Sequence, residues 1–285
     1  TIGTAEQRPE IDAVLALGAA DDSIIEVTPA RAHELAPYLR PEAFAYATYE
    51  EGVADMDVAA IHQGFLKGLK ARGGAVVCDA RATAMTRRDG HWHVETAAGA
   101  FAAPVVVNAA GAWADEIAVL AGARPVGLVP KRRTAVHVEL PQGLDGRGWP
   151  AVDEAGYGCY CKPEAGRVMA SPADATPSEP CDAQPEDLDV AIIADWLERM
   201  TVIPVKRIAH KWAGLRCFVA DESPVAGFDG EVDGFFWLCG QGGYGIMMAP
   251  SLGRTTASLI TGGALPADIR AAGLTIAGIG PQRLR

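Results

Sequence analysis

Two strand-to-helix units constrain the fold of this chain most strongly. The first contains the run Pro104-Val-Val-Val-Asn108, which leads through small residues into the helical segment AAGAWADEIAVLAG. A continuous valine run is typical of a strand that is buried on both faces of a parallel sheet. The second unit reads FFWLCG, then QGGYGI, then a helix that is predicted to begin near Pro250 and to end at Gly262-Gly263. Together the two units predict an α/β layer.

The stretch between these units, from about residue 124 to 224, has a different pattern. KRRTAVHVEL, YGCYCKP and GRVMASP are predicted strands of an antiparallel sheet, and one predicted helix, around DVAIIADWLERM, interrupts them. A chain of 285 residues is long enough for two modest domains. We therefore predict a discontinuous, nucleotide-type α/β domain with a second, α+β domain inserted into it.

Cap and turn residues define further elements upstream. Thr28-Pro29 predicts the start of one helix, and Asp57 is the predicted N-cap of an amphipathic helix that stops at Gly73-Gly74. AVVCDA then predicts a short apolar strand, and Asp89-Gly90 predicts a hairpin turn between ATAMTRR and HWHVETA. The apolar positions of the amphipathic helix are Val58, Ile61, Phe65 and Leu69.

Composition and charge argue against several classes of function. The formal net charge is −11 and the only short basic run is Lys131-Arg132-Arg133, which disfavours a nucleic-acid partner. No apolar run is long enough to span a bilayer, and the opening TIGTAEQRPE lacks the basic start and apolar core of a signal peptide. The six cysteines form no C-x-x-C pair and no zinc-finger spacing, so no metal site is expected. We predict reduced, mostly buried thiols in a cytoplasmic protein.

A glycine-rich turn, Gly240-Gln-Gly242-Gly243-Tyr-Gly245, satisfies the G-x-G-x-x-G pattern between a strand and a helix. A dinucleotide-binding βαβ unit, however, needs about 30 residues and an acidic residue about 20 positions further on. The chain after Gly245 shows no clear second strand, so this turn is not that fingerprint. Glycines let a ligand approach the backbone, and a helix N-terminus offers N–H groups and positive partial charge. An electron-rich ligand is therefore predicted here, the alternative being a turn in which glycine serves only packing.

Several motifs, in a shared order along the chain, resemble the D-amino-acid oxidase (DAO) family of FAD enzymes. They are VVNAAGAWA at residues 106–114, WAGLRCFVAD at 212–221 and GQGGYGI at 240–246. Within this family, PKRRTA, YCKPEAG, HKWAGLR and QGGYGI most resemble the bacterial D-arginine dehydrogenases. The resemblance implies that one domain binds FAD and that the other lays a β-sheet over the flavin ring. It assigns residues 1–50 and 124–222 to the substrate domain, and 51–123 and 223–285 to the FAD-binding domain.

The resemblance also implies a set of cofactor contacts. Ala82, in the hairpin, is expected near the adenine through its backbone. The glycine-rich turn is expected to face the pyrimidine side of the flavin ring, where a helix N-terminus stabilises negative charge on the reduced flavin. The residues expected near the flavin are Ala110, Gly111 and Trp113, and those of the turn are Gly242, Gly243, Tyr244, Gly245 and Ile246.

An amino-acid oxidoreductase must hold an α-carboxylate, and the arginine fork matches a carboxylate with two parallel hydrogen bonds. By resemblance, Arg133 and Arg216 bind this carboxylate and the Tyr160 hydroxyl assists them. Two bland alternatives stay open. Arg133 is also compatible with an ordinary surface cation, and Tyr160 with a strand aromatic whose hydroxyl lies in water.

Four further residues are expected beside the substrate. Gly214 offers a backbone carbonyl to the substrate amine, and Gly243 lies next to the substrate as well as the flavin. Ala151 and Asp153 fall where the wall of the side-chain pocket is expected. A carboxylate at position 153 either favours cationic side chains or points to solvent.

The function implied by the resemblance is FAD-dependent oxidative deamination of D-amino acids, of basic or broad range. A neutral amine drives hydride departure from Cα to flavin N5, and water hydrolyses the resulting imine to a 2-oxo acid and ammonia. No strong general base is required. The expected partners are a small amino-acid substrate and an electron acceptor, either oxygen or a quinone-linked carrier.

The alternatives follow from what the chain contains. Glycine, a secondary amine or a 2-hydroxy acid are alternative substrates on the same fold. Family members begin with a strand and a true G-x-G-x-x-G, which have no counterpart at or after Thr1. The expectation is that the chain is a fragment, that another polypeptide supplies the rest, or that the sequence omits residues. A non-catalytic fragment that cannot hold FAD is therefore the rival from another class.

Overall fold

A computed structural model describes residues 1–156 and 158–285 of the chain. These residues form two compact units. The first unit contains residues 1–55, 132–176 and 182–214, and the second contains 56–131, 177–181 and 215–285. The assignment of these regions to substrate and FAD-binding domains, with the predicted boundaries, stays a prediction.

The chain contains both helices and strands. The α-helices are α1 Arg8–Leu17, α2 Pro29–Leu35, α3 Val58–Ala71, α4 Ala114–Leu120, α5 Asp187–Met200, α6 Gly245–Ile260, α7 Ala267–Ala271 and α8 Ile276–Ile279. The strands are β1 Ile2–Gly3, β2 Ile24–Val27, β3 Tyr46–Glu50, β4 Ala82–Arg88, β5 His91–Thr96, β6 Gly99–Ala103, β7 Val106–Asn108, β8 Val129–Glu139, β9 Val152–Asp153, β10 Tyr160–Glu164, β11 Arg167–Ser171, β12 Ile208–Phe218, β13 Val225–Phe228 and β14 Phe235–Cys239.

The first unit is built on a five-stranded sheet with the strand order β12-β8-β11-β10-β9. The pairings of β8 with β11, β11 with β10 and β10 with β9 are antiparallel, as predicted for this region. One face of the sheet is buried against α5, because Val136 and Val138 of β8 share a core with Ile193, Trp196 and Leu197. A three-stranded sheet, β1-β3-β2, completes this unit.

The second unit contains the predicted α/β layer. Strand β7 pairs in parallel with β14, and β13 pairs with β14 on the other side in antiparallel fashion. Strand β14 is buried on both faces: Phe235 and Trp237 pack in the cluster that contains Ala118 of α4, whereas Phe236 packs in the cluster that contains Leu252 of α6. Burial on both faces explains why FFWLC is a continuous apolar run.

Several local predictions are confirmed. The Thr28 hydroxyl accepts a hydrogen bond from the backbone N–H of Arg31 at the start of α2. The Asp57 carboxylate does the same for Ala60 at the start of α3, and β4 and β5 form the predicted hairpin. Helix α3 is present as predicted, but its apolar side is not buried in the described part of the chain, since Phe65 is 55% exposed.

Two local predictions are wrong. The helix expected to begin near Pro250 begins at Gly245, so that the proline lies inside α6. Proline removes one backbone donor, and the carbonyl that loses its partner belongs to Ile246, an exposed residue near the helix start. The expected strand AVVCDA is irregular chain, with Val76 and Val77 about half exposed. A strand needs a neighbour that pairs with its backbone, and residues 75–80 pair with none of the described strands.

Two further observations concern the cysteines and the helices of the described residues. All six cysteines are free thiols, four of them buried: Cys159, Cys161, Cys217 and Cys239. Burial raises the pKa of the Cys161 thiol to about 12. No helix in the described ranges is long and apolar enough to cross a membrane.

Candidate functional site

The open face of the five-stranded sheet carries three of the predicted substrate residues. Successive side chains of a strand point to opposite faces, so Arg133 of β8 lies on the face opposite to the buried Arg132 and Thr134. Its guanidinium carbon lies 5.7 Å from the centre of the Tyr160 ring. Asp153 of β9 is the direct cross-strand partner of Tyr160, which puts both side chains on the same face. The sheet therefore places the cation beside the phenol and the phenol beside the carboxylate.

Arg133 is oriented by a hydrogen bond from its Nε to the backbone carbonyl of Asp174, at 2.9 Å. Its side chain is only 20% exposed, which distinguishes it from an ordinary solvated surface cation. Among the residues that the structure describes, none accepts a hydrogen bond from its two Nη nitrogens. The arginine is thus held at one edge while its terminal nitrogens can bind an anion.

A cavity of about 520 Å³ lies in the first unit beside Ala151 and Asp153. Its back wall is apolar, whereas its polar lining is mainly acidic. The Asp153 carboxylate accepts hydrogen bonds from the Thr1 hydroxyl at 3.0 and 3.2 Å, and its side chain is 56% exposed. The charged residues of the lining are Glu50, Glu51, Asp55, Asp153 and Lys162, of which Lys162 pairs with Asp55 at 2.8 Å.

Gly214, on β12, is the last residue of its stretch of the first unit. It is exposed, and no atom of the described chain lies within 4 Å of the position that a Cβ would occupy. A side chain here would therefore project into open space above the strand. The absence of one leaves the Gly214 backbone accessible to a small ligand.

Arg216 and the glycine-rich turn lie together in the second unit. A Cβ built on Gly243 would lie 3.3 Å from a terminal nitrogen of Arg216, and the Arg216 guanidinium carbon is 5.5 Å from the Phe218 ring. The turn is fixed by a hydrogen bond of 2.9 Å from the Gly242 N–H to the Cys217 carbonyl. Gly242 has a φ of +56°, and a Cβ there would lie 2.7 Å from Phe218. Glycine is thus required at position 242 by both conformation and space.

The turn leads directly into the N-terminus of α6, a helix of 16 residues. The first turn of α6 carries no acidic side chain that could neutralise its positive end. Gly243, Tyr244 and Ile246 are exposed here, so the first backbone N–H groups are accessible from solvent. This end of the helix suits an electron-rich group.

A second cavity, of about 730 Å³, brings together three predicted cofactor residues of the second unit: Ala82, Ala110 and Trp113. The turn that presents Ala110 is held by Asn108, whose amide donates to the Ala114 carbonyl at 2.8 Å. Gly111 follows with a φ of +57° and with no described atom near the position of a Cβ. Small residues thus keep this cleft open.

Some site-forming residues were not found by sequence reasoning. Asp115 accepts hydrogen bonds of 2.8 to 3.1 Å from the backbone N–H groups of Val126, Gly127 and Leu128, which fixes the chain just before β8. Asp174 fixes Arg133, as described above. The local pattern around Asp115 is that of an ordinary helix N-terminus, and nothing near Asp174 in the sequence identifies its partner on β8.

Comparisons with known proteins identify the family. The profile of the FAD dependent oxidoreductase (DAO) family matches residues 2–259. The chain belongs to this family. FAD is its cofactor, and the mixed α/β fold with antiparallel sheets is that of FAD-dependent oxidoreductases.

Several characterised proteins are similar in sequence. Glycine oxidase from Geobacillus kaustophilus is 29% identical over 82% of this chain and 61% of its own length. Mouse mitochondrial sarcosine dehydrogenase is 26% identical over 83% of this chain and 27% of its own length. Mouse mitochondrial dimethylglycine dehydrogenase is 28% identical over 88% of this chain and 31% of its own length. The chain therefore spans less than two thirds of each of these relatives.

Solved structures show the same fold. The crystal structure of glycine oxidase from Geobacillus kaustophilus matches 99% of this chain and 73% of its own, with a TM-score of 0.80 and 22% identity. L-α-Glycerophosphate oxidase from Mycoplasma pneumoniae, solved with FAD bound, matches 92% of this chain and 72% of its own, with a TM-score of 0.81 and 20% identity. The specific resemblance to D-arginine dehydrogenases stays a prediction.

The residues present fit the family's cofactor. The open cleft beside Ala110, the accessible N–H groups at the start of α6 and the glycines that no Cβ could replace without strain are all suited to a large, electron-rich ligand. Which of them contact FAD stays a proposal, and so do the individual roles predicted for Ala82, Gly111, Trp113 and the 242–246 turn.

Replacing Gly242 by Ala should disturb the turn, because the new Cβ meets the Phe218 ring and needs a strained backbone. We expect a loss of about 1–3 kcal/mol in the free energy of unfolding and weaker FAD binding. The matched control is Gly253→Ala in α6, where the Cβ meets no described atom and alanine favours the helix by about 1 kcal/mol. Denaturant unfolding measures both variants; equal stability for the two would contradict the strain argument.

Proposed function

We propose that this protein carries out FAD-dependent oxidative deamination of D-amino acids to 2-oxo acids and ammonia. The observation that carries the proposal is the arrangement on the open face of the sheet, where Arg133 lies beside the Tyr160 ring and Tyr160 beside Asp153. Bound FAD would supply the redox chemistry, because flavin N5 would accept the hydride that leaves the substrate Cα. The protein would hold the substrate in position and supply the electrostatic field around it.

In this proposal Arg133 binds the substrate α-carboxylate. Its Nε hydrogen bond to the Asp174 carbonyl restricts the side chain before substrate arrives, which lowers the entropy lost on binding. The two Nη nitrogens then form the paired hydrogen bonds that suit a carboxylate. The Tyr160 hydroxyl assists from β10, which is separated from β8 by β11. A similar role for Arg216 rests on the family resemblance and on its position beside Gly243.

The substrate amine is proposed to lie against the Gly214 carbonyl. A carbonyl accepts a hydrogen bond from a neutral amine and leaves its lone pair available to assist departure of the Cα hydride. None of the side chains assigned to this site is asked to remove a proton from Cα. Water then hydrolyses the imine outside the hydride-transfer step, and the carbon–nitrogen bond breaks to release ammonia.

The acidic cavity supports a preference for cationic side chains. Asp153 lines it together with Glu50, Glu51 and Asp55, whereas Lys162 is the one cationic side chain among its described lining residues; the Thr1 ammonium lies 3.7 Å from Asp153. Since Lys162 is paired with Asp55, the remaining carboxylates set a negative local charge. A basic side chain extending past Tyr160 would meet this charge.

The relatives favour a second candidate function. Glycine oxidase, sarcosine dehydrogenase and dimethylglycine dehydrogenase are named for glycine and for N-methylated amines. This chain could share such a substrate, because the carboxylate clamp does not depend on the side chain. Substrate profiling separates the candidates: D-amino acids yield ammonia and a 2-oxo acid, sarcosine yields no ammonia in its demethylation, and a 2-hydroxy acid yields an oxo acid alone.

Replacing Arg133 by Lys should raise KM for D-amino acids by about 10- to 100-fold, with a smaller effect on kcat. The expected loss corresponds to one hydrogen bond to a charged group, about 1.5–3 kcal/mol. Steady-state kinetics of the holoenzyme measure this. The matched control is Arg167→Lys, since Arg167 is 45% exposed on the same sheet and pairs with Glu139. An unchanged KM in the Arg133 variant would contradict the proposed clamp.

Replacing Asp153 by Val should reduce the preference for basic over apolar D-amino acids. Removing one carboxylate from the acidic lining weakens the attraction of a cationic side chain but leaves the proposed carboxylate clamp in place. The ratio of kcat/KM for D-arginine to that for D-valine should fall about tenfold. If the ratio is unchanged, Asp153 has no part in selecting the substrate.

A further inference from the structure

The buried face of the five-stranded sheet holds an ionic cluster directly behind Arg133. It consists of Arg132, Thr134, Asp174, Glu186 and Asp189, and we call it the buried ionic cluster. The Arg132 guanidinium donates to Asp189 at 3.0 Å, pairs with Glu186 and lies 3.6 Å from Asp174. The side chains of Arg132, Asp174 and Asp189 are 11% exposed or less. The cluster ties the start of α5 to β8.

Asp174 is the member of the cluster that reaches both faces of β8. Its carboxylate accepts a hydrogen bond of 2.6 Å from the Thr134 N–H and one of 3.2 Å from the Thr134 hydroxyl. Its backbone carbonyl accepts the hydrogen bond from Arg133 Nε at 2.9 Å. One residue is therefore anchored below the sheet by its side chain and holds the predicted carboxylate-binding cation by its main chain.

The loop that presents Asp174 is itself fixed in an unusual conformation. Ala173 has a φ of +57°, a region that alanine rarely adopts, and its N–H donates to the hydroxyl of the fully buried Ser171 at 3.2 Å. On the other side of Asp174, the Thr176 carbonyl accepts a hydrogen bond of 2.8 Å from the Arg132 N–H. Strain of this kind persists only where surrounding contacts over-determine the backbone, and the Asp174 carboxylate supplies two of those contacts.

We propose that Asp174 is a positioning residue for substrate binding, which acts by fixing the guanidinium of Arg133 through its main-chain carbonyl. The inference rests on the proposed function for its consequence, because Arg133 is the proposed carboxylate ligand. Its structural content is independent of that function. With the Asp174 carboxylate removed, the Thr134 N–H loses its acceptor, the strained loop relaxes, and the carbonyl leaves Arg133.

The test uses the full chain and two substitutions at one position. Asp174→Ala removes the carboxylate that holds the loop to Thr134 and that lies 3.6 Å from Arg132 Nε and 4.0 Å from Arg133 Nε, whereas Asp174→Asn keeps an oxygen that can accept from the Thr134 N–H. Asp187→Asn is the matched control, since Asp187 is fully exposed and pairs only with Lys211 at 3.1 Å in the described structure. Thr134→Ser keeps the hydroxyl and is a second control. Asp174→Ser, which also lacks the carboxylate, replaces Asp174→Ala should that variant fold poorly.

The first readout is hydrogen exchange of the Arg133 Nε–H, assigned by its disappearance in Arg133→Lys. The second is the dissociation constant of benzoate, with benzamide as the ligand that lacks the charge. We expect Asp174→Ala to speed Arg133 Nε–H exchange and to weaken benzoate binding, each by at least tenfold, with most of both effects recovered in Asp174→Asn. The Asp187 and Thr134 variants should behave like the parent protein.

The outcomes separate the two proposals. A protected Arg133 Nε–H in a folded Asp174→Ala variant would overturn the positioning role, whatever benzoate does. Fast exchange in that variant, with benzoate binding insensitive to both Asp174→Ala and Arg133→Lys, would support the positioning role and refute the carboxylate clamp. A loss of benzoate affinity that Asp174→Asn does not recover, with exchange unchanged, would also refute positioning.

Discussion

The alternation of side chains between the two faces of β8 is the constraint on which the proposed substrate site depends. Arg132 and Arg133 are neighbours in sequence and carry the same charge, yet the period of two in a strand sends them to opposite faces. Arg132 is buried and its charge is paired with carboxylates, where an unpaired charge would be costly. Arg133 is left on the open face with only its Nε engaged among the described residues. The basic triplet thus contains one arginine that belongs to an ion-pair network and one that we propose as a ligand-binding cation.

In the second unit the proposed cofactor site is formed mainly by backbone groups. Strand β14 is buried on both faces, so its C-terminal end is a rigid point from which the glycine-rich turn begins. The turn is tied to the Cys217 carbonyl and enters α6 without a capping carboxylate. Backbone rather than side chains therefore presents the positive helix end. The same economy holds at the Ala110 turn, where Asn108 fixes the backbone and small residues keep the cleft open.

The sequence was sufficient for elements with a strong local signal. The caps Thr28 and Asp57, the Asp89-Gly90 turn and the presence of a strand at 235–239 are each predicted from a few neighbouring residues. Burial on both faces is predicted instead for the valine run, and that prediction is wrong, because Val107 of β7 is 39% exposed. The sequence failed where the outcome depends on distant chain: AVVCDA has strand composition but no described partner, and Pro250 is accommodated inside a helix that begins five residues earlier. The contacts of Asp174 could not be predicted from the sequence, because its partners on β8 lie some 40 residues away along the chain.

The proposed cofactor site and the proposed substrate site serve one reaction, the FAD-dependent oxidation of an amino acid. FAD binding is proposed for residues of the second unit and carboxylate binding for Arg133 of the first, and the proposed reaction requires both. The most direct test is to load the protein with FAD, remove oxygen and add D-amino acids, glycine, sarcosine and 2-hydroxy acids in turn. We expect a D-amino acid to bleach the oxidised flavin and to release equal amounts of 2-oxo acid and ammonia, and we expect the fastest reduction from D-amino acids with a basic side chain. Flavin that binds and stays oxidised with every D-amino acid, while another substrate reduces it, would contradict the proposed function.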